Sequence, residues 1–298
     1  MQPTAEFGPV RVYAGKRNGK YPDGNQVIVQ GADSRAVFDS PLVSHHIGRD
    51  FDEADLVIQG HIHEDHTAGL VRLPDVPVYA HEADLPAIQS WDGVRDNYGY
   101  GEDVMGAQIQ YMVDKFNFVL RPDTIGYTDK ASWDLGGGVK IHAIHMPGHT
   151  AGSCVLLVEP VGLAFIGDIE LGKFGPYYGD KSSSLTETRS TLKRLPSIPA
   201  QVWVTSHDRG IYTDRHAMLA DLQAFEEKLF IREERIISLL KERPRTLNEL
   251  VDCRVLWPVY FEAFWVDATE RFTISRHLEE LLGNGRINKS EDGFFSLE

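Results

Sequence analysis

Cysteine is scarce in this chain, with only Cys154 and Cys253 among 298 residues. The two cysteines lie far apart and each stands in an apolar stretch, a setting typical of buried, reduced thiols. A disulfide framework or a catalytic thiol is therefore not expected.

Positive charge is also scarce, since 30 Lys and Arg residues face 44 Asp and Glu residues for a formal net charge of −14. This balance favours solubility and disfavours long polyanions and anionic membranes as partners. No stretch reaches the ~18 consecutive apolar residues of a membrane span. The first residues, MQPTAEFGPVRVYAG, lack the basic and apolar regions of a signal peptide. We expect a soluble, cytoplasmic protein with a small-molecule substrate, no membrane and no nucleic-acid partner.

The remaining composition, 42% hydrophobic and 25% charged, is that of an ordinary globular enzyme. The first two thirds of the chain contain many short strand-like runs, such as QVIVQG, DLVIQG and VKIHAIHM. Helical patterns such as GEDVMGAQIQYMVDKF and SLTETRSTLKRL separate only some of them. This partial alternation favours an α/β sandwich of stacked sheets with outer helices over a regular βαβ winding.

The pattern changes near Thr213, where a long helical stretch begins and continues to Pro244. A short helical segment, an aromatic stretch VLWPVYFEAFW, another helix and two short strands around SEDG follow, which is the order of a winged-helix module. We therefore place a large domain in residues 1–212 and a connector helix with a small winged-helix-like domain in residues 213–298.

The densest chemical signal is QGHIHEDHTAGL, residues Gln59–Leu70, which follows an apolar strand pattern. His61 and His63 point to the same side if the chain stays extended, and Asp65 and His66 fall on the turn that follows. Imidazole and carboxylate are the usual ligands of a borderline divalent ion. Glu64, between them, is expected to be solvated or supporting rather than coordinating.

Three later strand-like runs also end in ligand-type residues. HAIHMPGHTAGS delivers His149, LAFIGD ends in Asp168, and QVWVTSHD delivers His207. Sites in α/β proteins are built where strands end at one edge of a sheet. Seven such ligands are enough for two metals that share a bridging carboxylate.

At these residues the sequence resembles the metallo-β-lactamase superfamily over roughly residues 10–212. His61, His63, Asp65 and His66 match its HxHxDH motif, and PGHTAGS looks most like the hydrolase branch that includes glyoxalase II and lactonases. The resemblance implies an αβ/βα sandwich with two metals along one edge. The implied ligands are His61, His63 and His149 for the first metal, Asp65, His66 and His207 for the second, and Asp168 as the bridge.

The resemblance also implies a bridging hydroxide as nucleophile, because metal coordination lowers the pKa of water from 15.7 to about 7. Asp65 is the catalytic candidate, since it could orient this hydroxide and shuttle a proton. Asp39, which ends RAVFDS, matches an aspartate that supports the ligands from behind. Zinc is the expected metal, and iron or manganese would suit the same ligands.

The loop GKFGPYYGD directly follows Asp168. Lys173, Phe174, Tyr177 and Tyr178 are candidates for substrate contact, and ordinary loop packing is an equal alternative for them. Aromatic rings with one lysine would suit a substrate that has an apolar part and a carboxylate.

The C-terminal segment from Lys241 to Glu298 carries eight Lys and Arg and eleven Asp and Glu residues. Its presumed recognition helix offers Arg276 and His277 beside Glu279 and Glu280. Nucleic-acid binding needs several unopposed cations on one face. We expect a module for packing, homodimerisation or covering the site. Because every ligand precedes His216, truncation near Arg245 is expected to leave metal binding largely intact.

Three function classes remain open. The favoured one is a binuclear metal-dependent hydrolase of a small ester, thioester or lactone, of the hydroxyacylglutathione hydrolase or lactonase kind. The alternatives are a metal-dependent phosphodiesterase or endoribonuclease, which the acidic balance disfavours, and a dioxygenase or redox member of the same fold.

Overall fold

Short runs of β-branched and aromatic residues between turn residues form two mixed sheets in the computed structural model, which describes all 298 residues. The first sheet contains seven strands in chain order: β1 (Ala5–Phe7), β2 (Val10–Tyr13), β3 (Gln26–Gln30), β4 (Arg35–Phe38), β5 (Leu56–Ile58), β6 (Val78–His81) and β7 (Ile125–Tyr127). The second contains β8 (Ser132–Asp134), β9 (Lys140–His145), β10 (Cys154–Glu159), β11 (Leu163–Phe165), β12 (Val202–Val204) and β13 (Ile211–Tyr212), with β8 and β13 at its edges.

The helices connect the strands or follow the sheets. In chain order they are α1 (Lys16–Gly19), α2 (Arg49–Asp52), α3 (Glu64–Thr67), α4 (Leu85–Gln89), α5 (Trp91–Tyr98), α6 (Glu102–Phe116), α7 (Leu185–Arg194), α8 (Arg215–Glu242), α9 (Leu247–Asp252) and α10 (Val266–Gly283). The helices predicted from GEDVMGAQIQYMVDKF and SLTETRSTLKRL are confirmed as α6 and α7. Ser184 caps the N-terminus of α7, since its Oγ accepts a hydrogen bond from the backbone N–H of Glu187 at 3.2 Å.

The main core lies between the two sheets, because alternate residues of each strand point to the same face. Phe38 of β4 and Phe165 of β11 meet there, with ring centroids 5.9 Å apart. Two further apolar clusters lie on the outer faces, one beneath α4 and one beneath α7 and α8. The fold is therefore the predicted αβ/βα metallo-β-lactamase sandwich, with helices outside and the sheets packed face to face.

The long helix α8 belongs to two cores. Its first half packs Met218 and Phe225 on the second sheet, and its second half packs Ile236 and Leu240 against α9 and α10. A two-stranded sheet of β14 (Ile287–Lys289) and β15 (Phe295–Leu297) completes the C-terminal module. Helix, helix and hairpin follow in the predicted order, while kinship to winged-helix modules stays a prediction. None of the helices is both long and apolar enough to cross a membrane.

Candidate metal centre

The predicted ligand residues follow the carboxyl ends of central strands of the two sheets. His61 follows β5, Asp168 follows β11, and His207 follows β12. Because β4 and β5 run parallel, as do β11 and β12, each pair of strands ends at one edge of its sheet. The structure brings all seven predicted ligand residues together at these edges.

Three histidines, His61, His63 and His149, form what we call the first ligand group. One nitrogen of each lies within 4.8 Å of the others. His63 Nδ1 lies 2.9 Å from His149 Nε2, and His61 Nε2 is buried without a hydrogen-bond partner. Three imidazole nitrogens this close together, on two buried and one partly buried side chain, can bind one divalent ion.

Asp65, His66 and His207 form the second ligand group, whose ligand atoms also lie within 4.8 Å of one another. His207 Nε2 lies 3.1 Å from Asp65 Oδ2 and 3.2 Å from His66 Nε2. All three side chains are buried, with at most 5% of each exposed. The second group therefore offers two nitrogens and a carboxylate oxygen to a second ion.

Asp168 lies between the two groups and divides its oxygens between them. Its Oδ2 lies 3.3 Å from His149 Nε2 and 3.9 Å from His61 Nε2. Its Oδ1 lies 3.1 Å from His66 Nε2 and 3.5 Å from His207 Nε2. This is the geometry of a carboxylate that can bridge two metal ions.

Two supporting contacts behind the second group come from the N-terminal part of the chain. His66 Nδ1 lies 2.7 Å from Asp39 Oδ2, and Asp39 Oδ1 accepts the backbone N–H of Gly60 at 2.6 Å. His207 Nδ1 lies 2.7 Å from the carbonyl oxygen of Gly19. Gly19 has φ +75°, and a Cβ there would come within 2.6 Å of the Ser206 carbonyl oxygen, so only glycine fits this position.

Two supporting contacts behind the first group come from the loop after Asp168. His149 Nδ1 lies 3.1 Å from the carbonyl oxygen of Tyr177. His63 Nε2 lies 3.2 Å from Asp180 Oδ2. These partners leave the opposite ring nitrogen of each histidine facing the ligand group, as metal coordination requires.

Burial and neighbouring charges shift the pKa values of the site residues in different directions. Burial lowers the pKa of His61 well below its usual value and that of His149 to about 4. Burial alone would also lower the pKa of His207, but the Asp168 and Asp65 carboxylates raise it to about 10. The same carboxylates raise the pKa of His66 well above its usual value. Although burial opposes ionisation of Asp168, the surrounding histidines hold its pKa well below the usual value. The bridging position is therefore anionic at neutral pH.

The donor set fits divalent metal ions. Nitrogen lone pairs and carboxylate oxygens that approach to 2.9–3.3 Å repel one another unless a proton or a cation lies between them. Buried Asp168 Oδ1 and His61 Nε2 have no hydrogen-bond partner in the protein, and metal coordination would satisfy both atoms. Imidazole nitrogen and carboxylate oxygen suit zinc, and they accept iron or manganese as well.

Two acidic residues of the site were not predicted from the sequence. Glu170 forms a further group with Asp168 and His207, with ligand atoms within 4.8 Å, and its place two residues after Asp168 was the available signal. Asp180 has no such signal, because it lies late in the long loop between β11 and α7 and does not directly follow a strand.

Glu64 belongs to neither ligand group. Its two carboxylate oxygens accept hydrogen bonds from the hydroxyls of Tyr98 and Tyr21, and the residue is buried. Of the two expectations for Glu64, the structure favours a supporting role over a solvated one.

The four candidates for substrate contact occupy different environments. Tyr177 lies beside His149, with ring centroids 5.7 Å apart, whereas Lys173 is exposed. Phe174 packs on Trp257 of the C-terminal module, with centroids 4.7 Å apart. Tyr178 is fully buried and its hydroxyl lies 2.8 Å from His277 Nε2. This favours the packing alternative for Tyr178, while its contact with substrate stays a prediction.

The ligand groups and the sandwich fold are typical of one class of proteins, and the sequence matches the model of that same class. The sequence model of the metallo-beta-lactamase superfamily matches residues 47–207. The chain belongs to the metallo-β-lactamase superfamily.

Similar solved structures share this fold at low sequence identity. A metallo-beta-lactamase family protein from Thermus thermophilus is 20% identical, with 97% of this chain and 99% of that chain covered and a TM-score of 0.72. A beta-lactamase domain protein from Burkholderia ambifaria is 14% identical, with 100% and 95% covered and a TM-score of 0.69. The metallo-beta-lactamase GOB-18 from Elizabethkingia meningoseptica is 14% identical, with 76% and 90% covered and a TM-score of 0.55. Among proteins of curated function, no match was found.

Proposed function

We propose that the protein is a binuclear metal-dependent hydrolase of a small ester, thioester or lactone. The observation that carries the proposal is the position of Asp168, whose Oδ2 faces the first ligand group and whose Oδ1 faces the second. A carboxylate divided in this way allows two ions to be bound close enough to act on one substrate.

Bound divalent ions would acidify a water molecule to supply a nucleophile at neutral pH and would polarise the substrate carbonyl. The protein's part is to hold the ligands rigidly and to keep bulk water away from them. His61, His66 and His207 are each at most 3% exposed, so little reorganisation is needed when charge develops on the substrate. Asp65 belongs to the second ligand group and is the candidate for orienting the attacking water and moving its proton.

Aromatic side chains lie next to two of the ligand-bearing segments, and they support a substrate with an apolar part. At one segment the Tyr21 hydroxyl bonds to Glu64, which directly precedes Asp65, and lies 3.4 Å from the hydroxyl of Tyr111. The Tyr111 ring in turn contacts Phe264 of the C-terminal module at 5.9 Å between centroids. At the other segment, Phe174 packs on Trp257 of the same module. Aromatic side chains are common in sites for small organic ligands.

The charges of the C-terminal module support a small substrate over RNA. Four of its arginines form ion pairs with carboxylates: Arg243 with Glu249, Arg245 with Glu242, Arg254 with Asp267, and Arg286 with Glu233. The guanidinium group of Arg276 donates to backbone carbonyls of the large domain instead of facing a ligand. Few unopposed cations remain to neutralise phosphates.

We propose zinc as the resident metal and the cytoplasm as the compartment. The ligand set of nitrogen and carboxylate oxygen supports zinc. The two cysteines are both free thiols, as is usual in a reducing compartment.

The test begins with elemental analysis of the purified protein and continues with a panel of thioester, lactone, phosphodiester and RNA substrates. We expect close to two ions per chain and turnover of at least one thioester or lactone. Protein carrying Asp168→Ala, prepared in parallel, controls for contaminating hydrolases. Metal-dependent RNA cleavage that Asp65→Ala abolishes, with every acyl compound inert, would replace this proposal with the nuclease alternative.

A further inference from the structure

The loop after β11 places a buried carboxylate directly behind a candidate metal ligand. Asp180 is 1% exposed, and its Oδ2 lies 3.2 Å from His63 Nε2. The other ring nitrogen, His63 Nδ1, faces His149 Nε2 within the first ligand group. Asp180 therefore touches the far side of the imidazole and belongs to neither ligand group itself.

The rest of Asp180 is tied into the protein. Its Oδ1 accepts hydrogen bonds from the hydroxyls of Tyr177, at 3.1 Å, and Tyr100. Its backbone N–H donates to Ser183 Oγ at 3.2 Å. With these partners Oδ2 is the one oxygen left facing His63 Nε2, and neither Oδ2 nor Nε2 has a hydrogen-bond partner elsewhere in the protein.

The loop that carries Asp180 is held by an arginine of the C-terminal module. From α10, Arg276 Nη2 donates to the carbonyl oxygens of Asp180, Lys181 and Ser183, and Arg276 Nε donates to that of Ser183 at 2.9 Å. Hydrogen bonds from a charged donor are about twice as strong as neutral ones. One guanidinium group thus holds three carbonyls over four residues of the loop.

We propose that Asp180 is a positioning residue for His63, and that Arg276 holds Asp180 in place, so that the C-terminal module controls metal occupancy of the first ligand group. A carboxylate that accepts the second N–H of a ligating histidine fixes its tautomer and orientation and raises its basicity. The inference rests on the proposed function, because it requires His63 to be a metal ligand. It also contradicts the expectation that removing the module would leave metal binding largely intact.

The decisive variant is Asp180→Asn in the full-length protein. Asparagine keeps the size of the side chain and an acceptor for the tyrosines, but it removes the negative charge opposite His63. We expect zinc affinity at one of the two sites to fall about 10–100-fold, measured by competition with a chromophoric chelator. Affinity at the other site should be unchanged, which shows within the same titration that the protein is folded.

Arg276→Ala should weaken the same site, and Arg276→Lys, which keeps a charged donor, should recover part of the affinity. The matched control is Glu280→Gln, also on α10. Glu280 contacts the large domain through Arg189 Nε at 3.1 Å and Thr186 Oγ1 at 3.2 Å, but it does not touch the Asp180 loop. This control removes the charge from an interdomain ion pair without disturbing Asp180, so we expect zinc affinity equal to that of the wild type.

Wild-type affinity at both sites in Asp180→Asn would overturn the inference, as would equal losses in Arg276→Ala and Glu280→Gln. Visible absorption of the cobalt-substituted protein gives a second readout, because a change in the orientation of His63 alters the ligand field at the first group alone. A wild-type protein that binds fewer than two ions would instead contradict the proposed binuclear function. The two failures are therefore distinguishable.

Discussion

The two ligand groups are built from similar side chains but are supported by different parts of the molecule. Behind the second group stand Asp39 and the carbonyl oxygen of Gly19, both from the first 40 residues and within the sandwich. Behind the first group stand Asp180 and the carbonyl oxygen of Tyr177, both from the loop after β11. That loop in turn contacts the C-terminal part of the chain.

Two arginines make this contact. Arg232 of α8 donates to the carbonyl oxygens of Pro176 and Phe174, and Arg276 of α10 donates to that of Asp180. The supports of the second group therefore lie within the sandwich, whereas those of the first group lie in a loop that contacts the C-terminal part of the chain. Ligand residues that are close in sequence, such as His63 and His66, therefore need not share the same structural support.

The largest effect is expected from Asp168→Ala, because this change affects both groups at once. It removes a ligand from each ion and the anion between two cations, whose mutual repulsion then opposes double occupancy. We expect kcat/KM to fall at least ~10³-fold, about 4 kcal/mol of transition-state stabilisation. Steady-state kinetics on the substrate found in the panel measure it, and near-normal turnover would show that Asp168 does not bridge.

Alanine substitutions in single histidines should separate the groups. His149→Ala should empty mainly the first site and His207→Ala mainly the second, because each removes one of three protein ligands specific to its ion. Elemental analysis after dialysis measures the occupancy. His142→Ala is the control, since His142 lies on β9 with 34% of its side chain exposed and outside both groups. Loss of both ions in each ligand variant would mean that the sites fill only together.

Asp39→Asn should mirror the effect of the change at Asp180, on the other group. The asparagine keeps an acceptor for the N–H of Gly60 but loses the charge that faces His66 Nδ1. We expect about 10–100-fold weaker zinc binding at the second site and none of this loss at the first. The same chelator competition checks it, and equal weakening of both sites would mean that the groups share their support after all.

The smallest effect is expected at His277, which packs against Tyr178 of the loop that supports the first ligand group. Burial, helped by the positive charges of Arg232 and Arg189, lowers the pKa of His277 to about 3. The ordinary pKa of histidine in an unfolded chain is about 6.5. At pH values between about 3 and 6.5, the unfolded chain therefore binds a proton at His277 that the folded chain does not bind. The contribution of His277 to stability is thus complete above about pH 6.5 and is lost as the pH falls.

At pH 5.5 the loss amounts to about 1.4 kcal/mol. In His277→Gln the amide can still bond to the Tyr178 hydroxyl but does not titrate, so stability should fall less between pH 7.5 and 5.5 than in the wild type. Urea unfolding at both pH values measures the difference. An equal fall in the free energy of unfolding between pH 7.5 and 5.5 for the two proteins would show that His277 takes up its proton in the folded state as well.

The sequence predicted the sandwich and the seven ligand candidates because both depend on local patterns. A strand pattern that runs directly into glycine and histidine, as in DLVIQGHIH, marks candidate metal ligands in the sequence itself. In this fold, sites are built where strands end. Asp39 was found in the same way, since it ends the strand RAVFDS. The roles of these residues in metal binding remain predictions that the experiments above test.

Asp180 and the burial of Tyr178 were not predictable, because neither depends on residues near it in the chain. Asp180 lies 117 positions from His63, and Arg276 lies 96 positions from Asp180. The sequence placed Arg276 and His277 on a presumed recognition helix. In the structure Arg276 bonds to the large domain and His277 is fully buried beside Tyr178.

The sequence alone determined which side chains can bind metal and that they follow strands, because ligand chemistry and strand periodicity are written in short stretches. The tertiary structure decided which oxygen of Asp168 faces each ligand group and which parts of the chain support the ligands. Those properties depend on distances between residues brought together only by folding. Packing of the C-terminal module, rather than any motif, places Arg276 at the Asp180 loop and thereby connects the module to His63.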